Sequence, residues 1–234
     1  MTTSSQSDNR ILAALPRQEY ESIEPRLKLV RLELGTNLYL PEQKIEYCYF
    51  VTLGVVSLLA ALENGATVEA GVIGPEGMVG IAAILGADST PNLALIQGEG
   101  QAMRISTPDL RAEFRNGGKL RDLILRYTHT LFTQVAQTAA CNRLHSIEQR
   151  LARWLLLTQD RVVSPEFVLT QDFLSRMLGV RRAGVSVAAS TLRQAGLIDY
   201  RRGTMVVLDR KGLEHYSCEC YRIVRDEYDR YPTL

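Results

Sequence analysis

The stretch Thr170–Leu208, TQDFLSRMLGVRRAGVSVAASTLRQAGLIDYRRGTMVVL, decides how this 234-residue chain is read. Leu174, the small Ser175 and Leu178 recur at helical spacing and face inward from a first helix. Gly179 supplies a turn able to take positive φ, and Val180, Val185 and Ala188 complete the apolar seam from a second helix. Immediately afterwards, Leu197–Tyr200 and Thr204–Leu208 read as two short strands around Arg201-Arg202-Gly203. A glycine-turned helix pair followed by an arginine-tipped hairpin is the pattern of a winged helix-turn-helix, and it implies double-stranded DNA as a partner.

Charge supports this when it is divided along the chain. Residues 167–211 carry eight basic side chains against Asp172, Asp199 and Asp209, while the remainder carries 19 basic and 23 acidic residues. A basic C-terminal module beside an acidic remainder is expected where one domain meets phosphates and the other does something else. The 46% hydrophobic content is ample for a folded core, and the length suits two domains. The start, Met1–Ser7, is polar and lacks a signal-like apolar region, and no apolar run reaches membrane-spanning length, so a soluble cytoplasmic protein is expected. Four scattered cysteines do not make a disulfide framework.

Working outward, a short helical opening around Ile11–Leu29 precedes a strand-rich region. Tyr47–Leu53, Val55–Leu62 and Thr67–Ile73, separated by Gly54 and Asn64-Gly65, read as strands of a compact antiparallel roll, and a second set runs over Leu93–Ile105. Between them Gly74-Pro75-Glu76-Gly77-Met78-Val79-Gly80 is a glycine-rich loop opening onto the helix-compatible Ile81–Leu85. It either presents backbone N–H groups to a ligand or simply makes the turns of the roll. Thr107-Pro108-Asp109 reads as a helix start. Past Gly117-Gly118, Leu120, Ile124, Tyr127, Leu131, Gln134, Thr138 and Cys141 recur at alternating spacings of four and three, the pattern of a coiled-coil seam. That seam predicts a homodimer; the alternative is a long helix packed on its own roll. A connector helix over Ser146–Gln159 carries Ile147, Leu151, Trp154 and Leu155. The expected architecture is α+β: a sensor roll over 1–116, a dimerisation helix over 117–145 and a winged helix-turn-helix over 146–234.

This order resembles the Crp/Fnr family of bacterial transcription regulators, above all in Gly74–Gly80 and Thr170–Leu208. The resemblance implies a cyclic-nucleotide-binding-like roll and a homodimer on a palindromic operator. It also implies contact with RNA polymerase and an effector in the roll that shifts the recognition helices. Arg182 falls where the family commonly reads guanine, a bond pair its guanidinium can donate to O6 and N7. Ala183 and Val187 replace the family's glutamate and second arginine, which implies a different half-site. Thr170 and Gln171 match backbone-contacting positions, and Arg181, Ser186, Ser190, Arg201 and Arg202 are further candidate contacts.

The effector region departs from that pattern. Cyclic-nucleotide-binding members carry a glutamate after the last loop glycine and an arginine shortly beyond; here Gly80 is followed by Ile81, and no Lys, Arg or His occurs between Ile45 and Met103. An unpaired buried phosphate is expensive, so loss of cyclic-nucleotide binding is expected, with a less anionic effector or none in its place. A regulatory module acting without DNA and a cyclic-nucleotide-responsive regulator with an unusual pocket are the alternatives. No cofactor is expected: no cysteine precedes Cys48, and His129, His145 and His215 are dispersed. His215-Tyr216-Ser217-Cys218-Glu219-Cys220 gathers soft ligands but lacks a fourth, so its cysteines are expected to pack, with a redox role left open. Nothing supplies a nucleophile with its base, so no enzyme is expected.

Overall fold

A computed structural model describes residues 8–162, 166–201 and 203–230. The chain opens with α1 (Arg10–Ala13), α2 (Arg17–Ile23) and a 3-10 turn at Glu24–Arg26. Leu29, expected to end this helical opening, already lies in β1 (Lys28–Leu32), because Pro25 cannot continue the i→i−4 ladder of α2. With β2 (Asn37–Tyr39), β3 (Tyr47–Ala61), β4 (Thr67–Ile73), β5 (Met78–Val79) and β6 (Asn92–Ser106) it forms an antiparallel sheet in the order β1-β6-β3-β4, β2 pairing with β6 and β5 with β3.

Gly54 does not divide two strands. β3 runs unbroken through it, with register shifts between Leu53 and Val55, and Gly54 adopts φ +93°. A Cβ there would lie 2.6 Å from the Gly98 carbonyl oxygen, so glycine permits a bulge that bends a long strand. Phe50, Val51, Val55, Val56, Ile96 and Ala102 of β3 and β6 are all buried, and because neighbours along a strand point to opposite faces, both faces of the sheet are covered here.

Helix α3 (Ile81–Ile84) follows the glycine-rich loop, and α4 (Thr107–Asn116) starts where expected, its Ser106 cap accepting the Asp109 N–H. Gly117 and Gly118, at φ +86° and +80°, turn the chain into α5 (Gly118–Leu144). Here the structure corrects the sequence reading. Leu120, Ile124, Tyr127, Leu131, Gln134, Thr138 and Cys141 are all buried inside the single chain. Tyr127 donates to the Met78 carbonyl at 3.0 Å. The Gln134 amide bonds both backbone groups of Val72 on the β4 edge, each at 3.0 Å, and the Tyr228 hydroxyl at 2.8 Å. The periodic stripe is the face α5 turns to its own roll and C-terminal helix. Alternation of threes and fours reports a buried face without saying which partner buries it.

A capping box of Ser146 and Gln149 starts α6 (Ile147–Gln159), which is buried continuously from Arg150 to Thr158. α7 (Gln171–Leu178) and α8 (Arg182–Gln194) follow, with a small sheet ordered β7 (Glu166–Val168), β9 (Thr204–Val207), β8 (Ile198–Arg201). Strand β7 had no clear sequence signal. Leu174, Leu178, Val185 and Ala188 are buried as the seam requires; Ser175 and Val180 are half-buried, and Met177 takes the inner place. α9 (Arg210–Tyr216) and α10 (Glu219–Arg230) bring the chain back against α5 and α6. Among the described residues no helix is long and apolar enough to cross a membrane.

Candidate nucleic-acid interface and effector loop

The helix pair is set by local chemistry. Thr170 caps α7 by accepting the Phe173 N–H at 3.1 Å. Gly179 closes α7 at φ +61°, and a Cβ on it would meet Val68 of β4 at 2.9 Å. Glycine is demanded twice at that turn, once by the left-handed backbone and once by the roll lying against it. The outer face of α8 carries Arg182, Ala183, Ser186 and Val187, all exposed, with Ser190 half-buried.

Three of the candidate contacts converge. Gln171 Oε1 accepts from Arg182 Nε at 3.4 Å, and Gln171 Nε2 donates to Ser186 Oγ at 3.4 Å. Arg182 also lies 3.6 Å from Asp172, with both side chains about two-thirds exposed. Such an exposed pair is worth little, so Arg182 is free to exchange it for a base edge or phosphate. A groove beside this cluster is lined by Gln171, Ser186, Ala189, Ser190, Arg193 and Tyr200. Arg193 was not singled out in the sequence, although it continues the 186, 190, 193 face of α8. Arg181, exposed, precedes α8 as its cap residue, and Arg201 stands at the hairpin end, 2.9 Å from Asp199. Arg202 lies outside the described residues.

The glycine-rich loop is closed from within. Gly77 N–H bonds the Gly74 carbonyl at 3.0 Å, Met78-Val79 pairs with Tyr49-Phe50 of β3, and Gly80 takes φ +98° before Ile81 begins α3. Glu76 turns inward: its Oε1 accepts the Gly74 N–H at 3.0 Å and Arg161 Nε at 2.7 Å. Asn9 donates to the carbonyls of Pro75 and Gly77, and a Cβ on Gly77 would strike the Tyr127 ring. Arg161, just beyond α6, donates to the Leu157 carbonyl as well and lies over the Tyr228 ring at 5.1 Å. The only cation that reaches the loop's carboxylate among the described ion pairs thus comes from the C-terminal half and is already paired. A second buried polar chain crosses the same junction. Ser57 bonds Glu69 and Gln97, and Gln97 donates to Thr158 of α6 at 3.3 Å. Ser57 has one hydroxyl proton for two acceptors, which favours a protonated Glu69; burial pushes that carboxyl up to about 7.

Residues 29–116 match the cyclic nucleotide-binding domain family, and residues 149–216 match the Crp-like helix-turn-helix domain. The chain belongs to the Crp/Fnr family. This Crp/Fnr protein is a DNA-binding transcription regulator rather than an enzyme. It resembles a Crp/Fnr-family regulator of Eubacterium rectale at 16% identity and TM-score 0.70, over 86% of this chain and 94% of that one. FixK2 of Bradyrhizobium japonicum is similar at 17% identity and TM-score 0.70, over 82% and 98%. The c-di-GMP-responsive regulator CLP of Xanthomonas campestris is similar at 19% identity and TM-score 0.67, over 82% and 99%. At these identities the likeness speaks for the fold. Among curated protein sequences none matches.

Within this Crp/Fnr regulator, sequence reasoning missed Arg161, Gln97 and Thr158, and with them the pairings made across the fold. Glu76 and Arg161 lie 85 positions apart, and Gln97 and Thr158 lie 61 apart. The loop's own acidic residue beside a stretch without bases was the one signal that a distant cation must arrive.

Proposed function

We propose that this Crp/Fnr regulator acts in the cytoplasm as a homodimer on a palindromic operator, and that its roll has lost the cyclic-nucleotide phosphate site. The observation that carries the second part is the Glu76–Arg161 pair, with side chains 7% and 4% exposed. A phosphate entering the loop would meet a carboxylate whose neutralising arginine is already engaged, and would have to displace Tyr127 and Asn9 from the loop backbone. Any effector is therefore less anionic than a cyclic nucleotide. Calorimetry with cyclic AMP and cyclic GMP tests this: no saturable heat is expected, and a dissociation constant in the low micromolar range overturns it.

The dimer reading rests on the neighbouring side of α5, about 100° around the helix from the buried stripe. Leu125 and Phe132 are 46% and 71% exposed, and with Thr128, Val135 and Ala139 they form a stripe spaced by threes and fours, each one residue beyond the stripe buried within the chain. A second copy covering this stripe would place two α8 helices for successive major grooves. In that assembly residues 1–116 act as sensor, 117–145 as dimer helix and 146–234 as DNA module. Arg182 reads a base edge, with Gln171, Ser186 and Ser190 beside it, while Thr170, Arg181 and Arg201 meet phosphates. RNA polymerase is the downstream partner of the bound dimer.

A further inference from the structure

The far end of α5 meets the α9–α10 turn at a group of side chains the DNA interface and the loop do not use. Cys141 and His145 stand one helical turn apart, His145 capping α5 with its N–H on the Cys141 carbonyl at 3.1 Å. Cys218 and Cys220 come from the start of α10. Cys141 Sγ lies 3.5 Å from Cys218 Sγ, and Cys220 Sγ lies 3.6 Å from His145 Nδ1. One ligand atom from each of the four residues falls within 4.8 Å of all the others. The three cysteines are buried and cluster apart from the main apolar core. His215, the histidine that sequence proximity suggested, is exposed and outside this group.

These spacings suit one metal ion. Bonds of about 2.3 Å to sulfur and about 2.0 Å to nitrogen in a tetrahedron put neighbouring ligand atoms roughly 3.5–3.8 Å apart. A multinuclear iron–sulfur cluster spreads its four protein ligands over two or more ions, so they do not all lie this close together. The surroundings fit as well. His145 Nε2 lies 3.4 Å from a Glu219 carboxylate oxygen, the arrangement that fixes a metal-bound imidazole with its other nitrogen facing the ion. Three thiolates, a neutral imidazole and a divalent ion leave one negative charge. Buried Arg153 acts electrostatically on Cys141 and Cys220, and buried Arg150 interacts with Cys141.

We infer that Cys141, His145, Cys218 and Cys220 form a structural Cys3His site for a single zinc ion that pins the C-terminal helix to the end of the long helix. Binding releases three thiol protons to solvent and leaves zinc in its divalent state. The ion joins ligands up to 79 residues apart, from Cys141 to Cys220, at the end of α5 next to α6, so its loss loosens the start of α10 while the Gln134–Tyr228 bond still holds its far end. The inference is independent of the cyclic-nucleotide reading, since it needs neither the loop nor an effector.

The test uses the untagged full chain purified without chelator. Elemental analysis should give one zinc per chain, and cobalt titrated into metal-free protein should give the intense visible bands of a tetrahedral thiolate site. Cys218→Ser and Cys220→Ser should abolish stoichiometric binding, and His145→Ala should weaken it at least about tenfold. Glu219→Gln, which touches the site only through His145, should weaken zinc by about 10–100-fold while circular dichroism stays unchanged. His215→Ala should retain full stoichiometry. Three results overturn the inference: folded wild-type protein that takes up no zinc or cobalt, affinity lost in His215→Ala but kept in His145→Ala, or a Cys141–Cys218 disulfide in protein purified anaerobically. If the cysteine variants do not fold, wild-type stoichiometry and Glu219→Gln still decide.

Discussion

Replacing Arg161 with methionine keeps most of the buried stem but strands the Glu76 carboxylate. The two side chains are 4% and 7% exposed, with Nε 2.7 Å from Oε1, and Arg161 loses its bond to Leu157 as well. Deleting one partner of a buried pair costs about 3–5 kcal/mol. Glu76 keeps the Gly74 N–H, which places Arg161→Met near the lower end, about 3 kcal/mol. Adding Glu76→Gln removes the stranded charge, so the double variant should cost less than the sum of the singles by about 2 kcal/mol. Urea unfolding followed by the fluorescence of Trp154, the single tryptophan, buried on α6, reads this at the junction itself. Circular dichroism in parallel shows whether roll and DNA module separate before global unfolding. A cost for Arg161→Met below about 1 kcal/mol, or costs that simply add, would refute the reasoning that this pair ties loop to DNA module.

Phe132→Glu should convert the dimer to monomers in light scattering without unfolding the chain, losing about 1.5–3 kcal/mol of apolar burial on each side of a two-fold interface, and an unchanged dimer mass counts against the exposed stripe. Leu131→Glu should instead destabilise the protomer, because Leu131 is 6% exposed and faces Gly71 of β4. For Glu69, whose carboxyl is raised from 4.5 to about 7 by burial, the folded chain holds a proton across that range that the unfolded chain has released. Stability from this group is therefore complete below about pH 4.5 and is lost as pH rises through about 7, by up to about 3 kcal/mol. Glu69→Gln should flatten that slope between about pH 5 and about pH 8 in urea midpoints, and an undiminished slope removes Glu69 as its source. Arg182→Ala should cost about 1–3 kcal/mol per half-site on specific DNA and little on random DNA, whereas Arg201→Ala should weaken both and lower the salt slope by about one counterion. Equal losses on both DNAs for Arg182→Ala would make it a phosphate contact.

The helix-turn-helix was legible because its determinants are local: apolar residues at helical spacing and one glycine that must take positive φ. The long helix was legible as an element but not in its partner, since Leu131 and Phe132 belong to adjacent stripes with the same period and opposite environments. Gly54 misled for a related reason: a glycine between apolar runs marks a turn or a bulge equally well, and only the close approach of Gly98 distinguishes them. The Glu76–Arg161 pair and the Cys141, His145, Cys218, Cys220 group were out of reach because their members are brought together by the return of the C-terminal half onto the roll and α5. Chain separation hides such groups from any local pattern.

Selection of bound duplexes from a random-sequence pool, with and without cyclic AMP, tests the central claim most directly. An inverted repeat whose half-sites lie about 10 base pairs apart, or a multiple of that, should be enriched equally in both conditions. Enrichment of no sequence, of a single half-site, or of a site captured only with cyclic AMP would contradict it.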